Sequence, residues 1–190
     1  MRRVFVLLLA TLTLGCASAP EISVRSEQTS ERYTATFDRA LFSQNKDGQI
    51  DLILLSGEGD GEPGMPLRET RDGQVRQMVH LRVLWTPRNT IRLDSPSAGN
   101  AVINWHVVAD ANDRLSYKGA CWAEVDIDDD EAEVDLRNAV MSISRSVGSV
   151  NDPLKRATLD GNFTATRADA VVQSYVTELA AIEQADLAAR

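Results

Sequence analysis

Residues 123–135 read AEVDIDDDEAEVD, eight carboxylates in thirteen positions with only small or branched apolar residues between them. Folded back on itself about Asp129 and Asp130, the run places Asp128 opposite Glu131, Asp126 opposite Glu133 and Glu124 opposite Asp135. The same fold sets Ile127 against Ala132, Val125 against Val134 and Ala123 against Leu136. Every apolar side chain then falls on one face and every carboxylate on the other. A slip of one residue would drive carboxylates into the core, so the alternation fixes the register of an antiparallel hairpin. Opposed like charges destabilise such pairs by roughly 0.2 to 1 kcal/mol each, which must be offset by water and salt, by neighbouring arginines or by a bound cation.

Asp126, Asp128 and Asp130 imitate the first three ligands of a calcium loop. Glu131 then stands where the loop needs glycine and Arg137 where it needs a bidentate glutamate, which excludes that motif. A looser site built from Glu124, Asp126, Asp128, Glu133 and Asp135 is the weak metal candidate; a solvated hairpin face or a docking surface for a basic partner are the other readings. Asn45, Asp47 and Gly48 carry a similar shadow, but Ser43 and Leu54 occupy its essential end positions.

Outward from the hairpin, period-two alternation continues. Leu115, Tyr117, Gly119, Cys121, Ala123, Val125 and Ile127 share one face, which makes Cys121 a core thiol behaving as a small hydrophobe. The alternation of Ala132, Val134 and Leu136 changes phase before Ala139, Met141 and Ile143, so a bulge or a change of sheet is expected near residues 137–139. YTATFDRALFS and QIDLILLS flank Asp47-Gly48, a strong hairpin signal. VRQMVHLRVLW, IRL (91–93), NAVINWHVVAD and RATLDGNFTAT read as further strands, with turns at 86–89, 94–96 and 110–113. Ser56 to Gln74, rich in glycine and proline, reads as a disordered excursion or a binding loop. From Ala168 the period lengthens: Val171, Val172, Tyr175, Val176, Leu179 and Ile182 form the stripe of an amphipathic helix over about 167–187, with Thr166 and Asp169 resembling a capping box. The expected fold is mainly β, an antiparallel β-sandwich or strongly bent sheet with one C-terminal amphipathic helix packed against it.

The opening MRRVFVLLLATLTLGCASAP has the order of an export signal, two arginines before an apolar run from Val4 to Leu14. Eleven residues are too few for a helix across the hydrocarbon core, which takes about 20. Leu12-Thr13-Leu14-Gly15-Cys16 resembles the lipobox of bacterial membrane lipoproteins. That resemblance covers only the signal region. It implies removal of residues 1–15, attachment of diacylglycerol and an N-acyl chain to Cys16, and a membrane partner reached through the lipid anchor. Ala17 after the cysteine resembles the outer-membrane sorting class, which implies a domain facing the periplasm. Residues 16–32 read as a flexible tether and 33–190 as a single domain.

Apolar residues at 43% support a packed core. Removal of Arg2 and Arg3 takes Lys+Arg from 20 to 18 against 28 acidic side chains, a formal charge of −10. A domain this acidic lacks the cationic footprint of nucleic-acid binding and favours a basic ligand or an envelope protein partner. His80 and His106, the two histidines, read as half-exposed strand residues. Cys121 with His106 and Asp110 is the most tempting catalytic set, but a thiol on the apolar face lacks the accessible cationic setting of a nucleophile. Trp85, Trp105 and Trp122 read as core or rim packing, with a ligand cleft as the alternative. Asn162-Phe163-Thr164 matches a glycosylation sequon, an accidental match in a bacterial lipoprotein. No nucleotide, metal or hydrolase motif stands out, so no cofactor beyond the lipid is expected. The favoured reading is a lipid-anchored envelope lipoprotein with a non-catalytic binding or structural domain. A lipid-anchored hydrolase or thiol enzyme and a calcium-dependent surface module are the alternatives.

Overall fold

The computed structural model describes residues 19–56, 76–86, 99–108, 113–148, 152 and 154–188. The signal segment with Cys16, the 56–74 stretch beyond Ser56, the strand expected at 91–93, the turns at 94–96 and 110–112, and Asp110 lie outside them, as do Pro87 to Asn89.

Nine strands form one sheet: β1 (Glu21–Ser26), β2 (Arg32–Thr36), β3 (Arg39–Gln44), β4 (Ile50–Ser56), β5 (Arg76–Val83), β6 (Ala101–Val108), β7 (Arg114–Asp128), β8 (Glu131–Val147) and β9 (Arg156–Arg167). Helix α1 (Asp169–Ala188) follows. Strands β3 to β9 pair in succession, and β9 also pairs in parallel with β3 through Leu41–Thr166 and Phe42–Arg167. The strongly bent sheet therefore bends until it closes into a seven-stranded ring. The β1–β2 hairpin extends the wall beside the upper part of β9, where Ile22 faces Gly161.

The β7–β8 hairpin has the register expected from its alternation, including Glu124–Asp135, Asp126–Glu133 and Asp128–Glu131. Asp129 takes the left-handed conformation, φ 50°, at the turn. A bulge lies at the phase change: Ala120 pairs with Val140 and Trp122 with Arg137. Opposite Cys121, Asn138 adopts φ 51°. The extra residue returns Ala139 and Met141 to the interior, where both are buried. At Gly119 a Cβ would stand 2.0 Å from the Val140 carbonyl oxygen, so these long strands approach more closely there than a side chain allows. At the Asn45–Gly48 turn, the Asn45 carboxamide accepts from the Asp47 and Gln49 amides, and Gly48 takes φ 82°.

The interior is filled by inward-facing side chains of every strand, among them Phe42, Leu52, Leu81, Ile103, Trp105, Tyr117, Cys121, Val134, Met141 and Phe163. A second apolar cluster lies outside the ring. Val172, Tyr175, Leu179 and Ile182 of α1 pack on Leu41, Ile53, Leu55 and Met78, with Ala168, Val171 and Val176 at its margin. The stripe legible in the sequence is thus the face that docks. Thr166 remains in β9, opposite Glu131, and the helix begins at Asp169, with the Ala168 carbonyl accepting from Val172.

The tether expected over 16–32 is shorter than that. Residues 21–26 form β1, with Ile22 and Val24 buried, and the chain is already held at Pro20, whose carbonyl accepts from the Phe37 amide at 2.8 Å. The isoleucine-valine alternation in EISVRS is real but too short to stand out against its serines and charges.

Candidate functional site

The outward face of β4 to β7 carries a row of polar side chains where a surface strand would show them to water. Helix α1 lies over part of this wall, and several of these groups are buried. The Asp51 carboxylate accepts from His80 Nε2 at 2.8 Å and from Arg82 Nε at 2.8 Å. A carboxylate only accepts, so Nε2 of His80 carries its proton. Burial by itself would raise the Asp51 pKa, but the His80 and Arg82 bonds outweigh it and hold the group below its ordinary value.

His106 lies on the neighbouring strand, with Met78 as its partner across β5 and Ser116 across β7. Its Nδ1 is 3.0 Å from Ser116 Oγ. Nε2 has no partner among the described residues, whichever of the two donates in that contact. Burial pushes the His106 pKa down to about 4; Glu183 of α1 opposes this, while Arg114, Lys118 and His80 add to it. Lys118 Nζ reaches Glu183 at 2.6 Å, an exposed pair joining β7 to the helix end. Both histidines are therefore buried, at 6% and 4% exposure, and not half-exposed as strand parity suggests. Parity tells that they point outward; the helix that packs on their cross-strand neighbours Ile53 and Met78 comes from elsewhere in the chain.

Cys121 faces the opposite way. It is buried inside the ring, its Sγ 3.9 Å from the Ala101 carbonyl, and burial pushes its thiol pKa up to about 12. The sheet wall separates Cys121 from His106, so the structure does not bring these two together. Trp105 is also interior, tilted against Tyr117 at 6.0 Å between ring centres. Tyr117 donates to Asp152 at 2.7 Å, and burial with that carboxylate raises its pKa.

On the outer face of β7 and β8, Glu124, Asp126, Asp128 and Glu133 are exposed and Asp135 is half-buried. Arginines stand at both ends of the row. Arg137 bonds Asp135 and lies 3.6 Å from Glu124; Arg167 donates to the Asp129 carbonyl at 2.9 Å and lies 3.6 Å from Asp130. Arg167 also stacks 4.9 Å over Phe42. No group of three or more His, Cys, Asp or Glu side chains is placed to hold a metal ion among the described residues.

Beside this acidic row is an apolar patch that the strand reading did not assemble. Trp85 and Trp122 meet edge to face, 5.6 Å between ring centres. Leu84, Trp85 and Val102 are 44%, 44% and 39% exposed. Asn100 fixes the corner, donating to the Trp85 and Ala123 carbonyls and accepting from the Ala123 amide. The outward parity of Val102 and Trp122 was available in the sequence, but their joining needs the β6–β7 register. No protein-family model, no curated protein and no solved structure matches this chain.

Proposed function

We propose that this chain is an exported lipoprotein of the bacterial envelope, anchored through diacylglycerol and an N-acyl chain on Cys16. Its closed β domain works by binding or structural support, not by chemistry of its own. The address rests on the lipobox-like LTLGC. The mode of action rests on one observation: the thiol and imidazole of the candidate catalytic set, Cys121 and His106, are walled off. Cys121 faces the ring interior and His106 with Ser116 is buried in the outer wall, whereas an acidic row and an apolar patch reach the surface. A nucleophile needs an accessible site and an activating setting. The acidic row suits a basic ligand or the basic surface of an envelope protein; outer membrane facing the periplasm is the compartment favoured by Ala17.

The deciding experiment is the intact mass of the membrane-extracted protein, with Cys16→Ser expressed in the same diderm host. The expected result is a lipid-sized increment that disappears in the variant. An unlipidated mass with cleavage beyond Cys16 overturns the address. Thiol titration without denaturant separates binding from thiol chemistry: Cys121 is expected to stay inert until the protein unfolds, and rapid reaction would restore the enzyme alternative. The calcium-dependent alternative predicts a melting temperature higher in calcium than in chelator; equal values are expected here.

A further inference from the structure

Three of the large apolar side chains exposed on this domain, Leu84, Trp85 and Val102, are gathered in one place. Val102 faces Ala120 across β6–β7, and Ala120 faces Val140 across β7–β8. Trp122 lies two positions beyond Ala120 on the same outward side and touches Trp85. The result is a continuous apolar surface with two indoles at its edge. Such patches on a soluble domain mark a surface that meets something.

The position of the N-terminal chain indicates what that is. In the sheet, Ile22 faces Gly161, Gly161 faces Leu136, and Leu136 faces Ala123, the residue next to Trp122. Three strand spacings separate the start of β1 from Trp122, the near edge of the patch, about 14 Å along the wall; Val102 on β6 is one spacing further and Leu84 and Trp85, just past β5, two. Pro20 is held by the Phe37 amide, so only four residues run from Cys16 to the first fixed point, a reach of at most about 14 Å. A lipid on Cys16 would hold this wall at the bilayer surface instead of letting the domain roam.

The cations beside the patch, Arg82, Lys118 and Arg137, are already paired. Arg82 bonds Asp51, Lys118 bonds Glu183 and Arg137 bonds Asp135. With acidic side chains close by, an anionic surface would be repelled. The fitting occupant is apolar and close to neutral. Tryptophan at the headgroup level, with its ring in the acyl margin and its N–H in the wet zone, is the side chain that the bilayer interface favours.

We infer that Leu84, Trp85, Val102 and Trp122 form a membrane-docking face that seats the domain on zwitterionic lipid beside its own anchor. The inference rests on the lipoprotein reading above. Their failures are distinguishable, because mass reports the anchor and fluorescence reports the face.

The test reconstitutes the lipidated full chain in phosphatidylcholine vesicles whose acyl chains are brominated at shallow positions, where bromine quenches only indoles in contact with lipid. Trp105, buried inside the ring, is an internal reference. Expected are strong quenching of the native protein, little quenching of Trp85→Phe/Trp122→Phe, in which Trp105 alone emits, and several-fold weaker quenching in Leu84→Glu/Val102→Glu. The last pair changes exposed positions and keeps all three tryptophans; circular dichroism checks its fold. A lipidated native protein with unquenched tryptophans overturns the docking face and leaves the anchor standing. Unchanged quenching in Leu84→Glu/Val102→Glu also overturns it. Dimeric mass in detergent together with unquenched tryptophans would assign the patch to a second copy. A protein whose mass carries no lipid removes the anchor and the docking inference with it.

Discussion

Two parts of one barrel wall, both turned outward, have opposite fates. On β4, β5 and β6 the outward residues Asp51, His80 and His106 are buried. On β7 and β8 the outward residues Glu124, Asp126 and Glu133 are in water. Strand alternation reads the two alike, since each is polar-out and apolar-in. The difference is what packs beside them: α1 seats on Ile53 and Met78, the cross-strand neighbours of His80 and His106, whereas the hairpin carboxylates stay exposed. A polar group facing out of a sheet is therefore cheap or costly according to an element that the strand itself does not encode. Beside the helix, each such group needs a partner within the protein; in the hairpin, water screens the repulsion.

The comparison can be broken most sharply at Asp51. Asp51→Ala leaves His80 and Arg82 without their common acceptor, and should destabilise by about 2 to 4 kcal/mol, toward the lower part of the range for a broken buried pair because Arg82 reaches water. Asp126→Ala, one wall further round, is expected within about 0.5 kcal/mol of native. Urea denaturation of both variants measures the contrast, and equal losses would show that the helix packing is not what separates the regions.

The second contrast is pH. The ordinary value for His106 is 6.5, and burial takes it to about 4 in the fold. Between these values the unfolded chain binds a proton that the folded protein refuses. Stability therefore falls as pH drops from about 6.5 to 4, by roughly 3 kcal/mol in all. Asp51, held low when folded, adds a further loss at still lower pH, as the fold's carboxylate is finally protonated. Urea midpoints against pH would give the slope, and a slope that is identical in His106→Gln would remove His106 as its source.

The smallest effect belongs to the hairpin. Asp126→Asn relieves the repulsion with Glu133 directly opposite and should stabilise by a few tenths of a kcal/mol, less as salt is added. A thermal melt in low and in high salt measures it; destabilisation that grows with calcium present would mean that the carboxylates hold an ion.

Much of this architecture was legible along the chain. The β7–β8 register, its bulge near residues 137–139 and the docking stripe from Ala168 to Ile182 all follow from local period, because one buried face dictates each. Ring closure was not legible, because it depends on β9 meeting β3 through only two residue pairs, and two pairs leave no pattern. The buried polar cluster was half legible. His80 and His106 could be placed on the outward parity, but their burial depends on neighbours from other strands and on α1 packed beside them. The Trp85–Trp122 contact escaped for the same reason: the residues are 37 positions apart, one just past the end of β5 and the other on β7, strands that are not adjacent. Separate side-chain properties can be read in order, whereas a site is a coincidence of distant ones.

Strand β1 has a consequence for the time order of folding. Ile22 is among the first residues of the domain to leave a ribosome, yet its partner on β9, Gly161, comes 139 positions later. Closing so long a loop before any pairing rewards it makes for slow folding. The ring itself cannot seal halfway through synthesis either, because β3 must wait for Thr166 and Arg167 of β9. The stitch between first and last strands thus acts as a latch that only a complete chain can set.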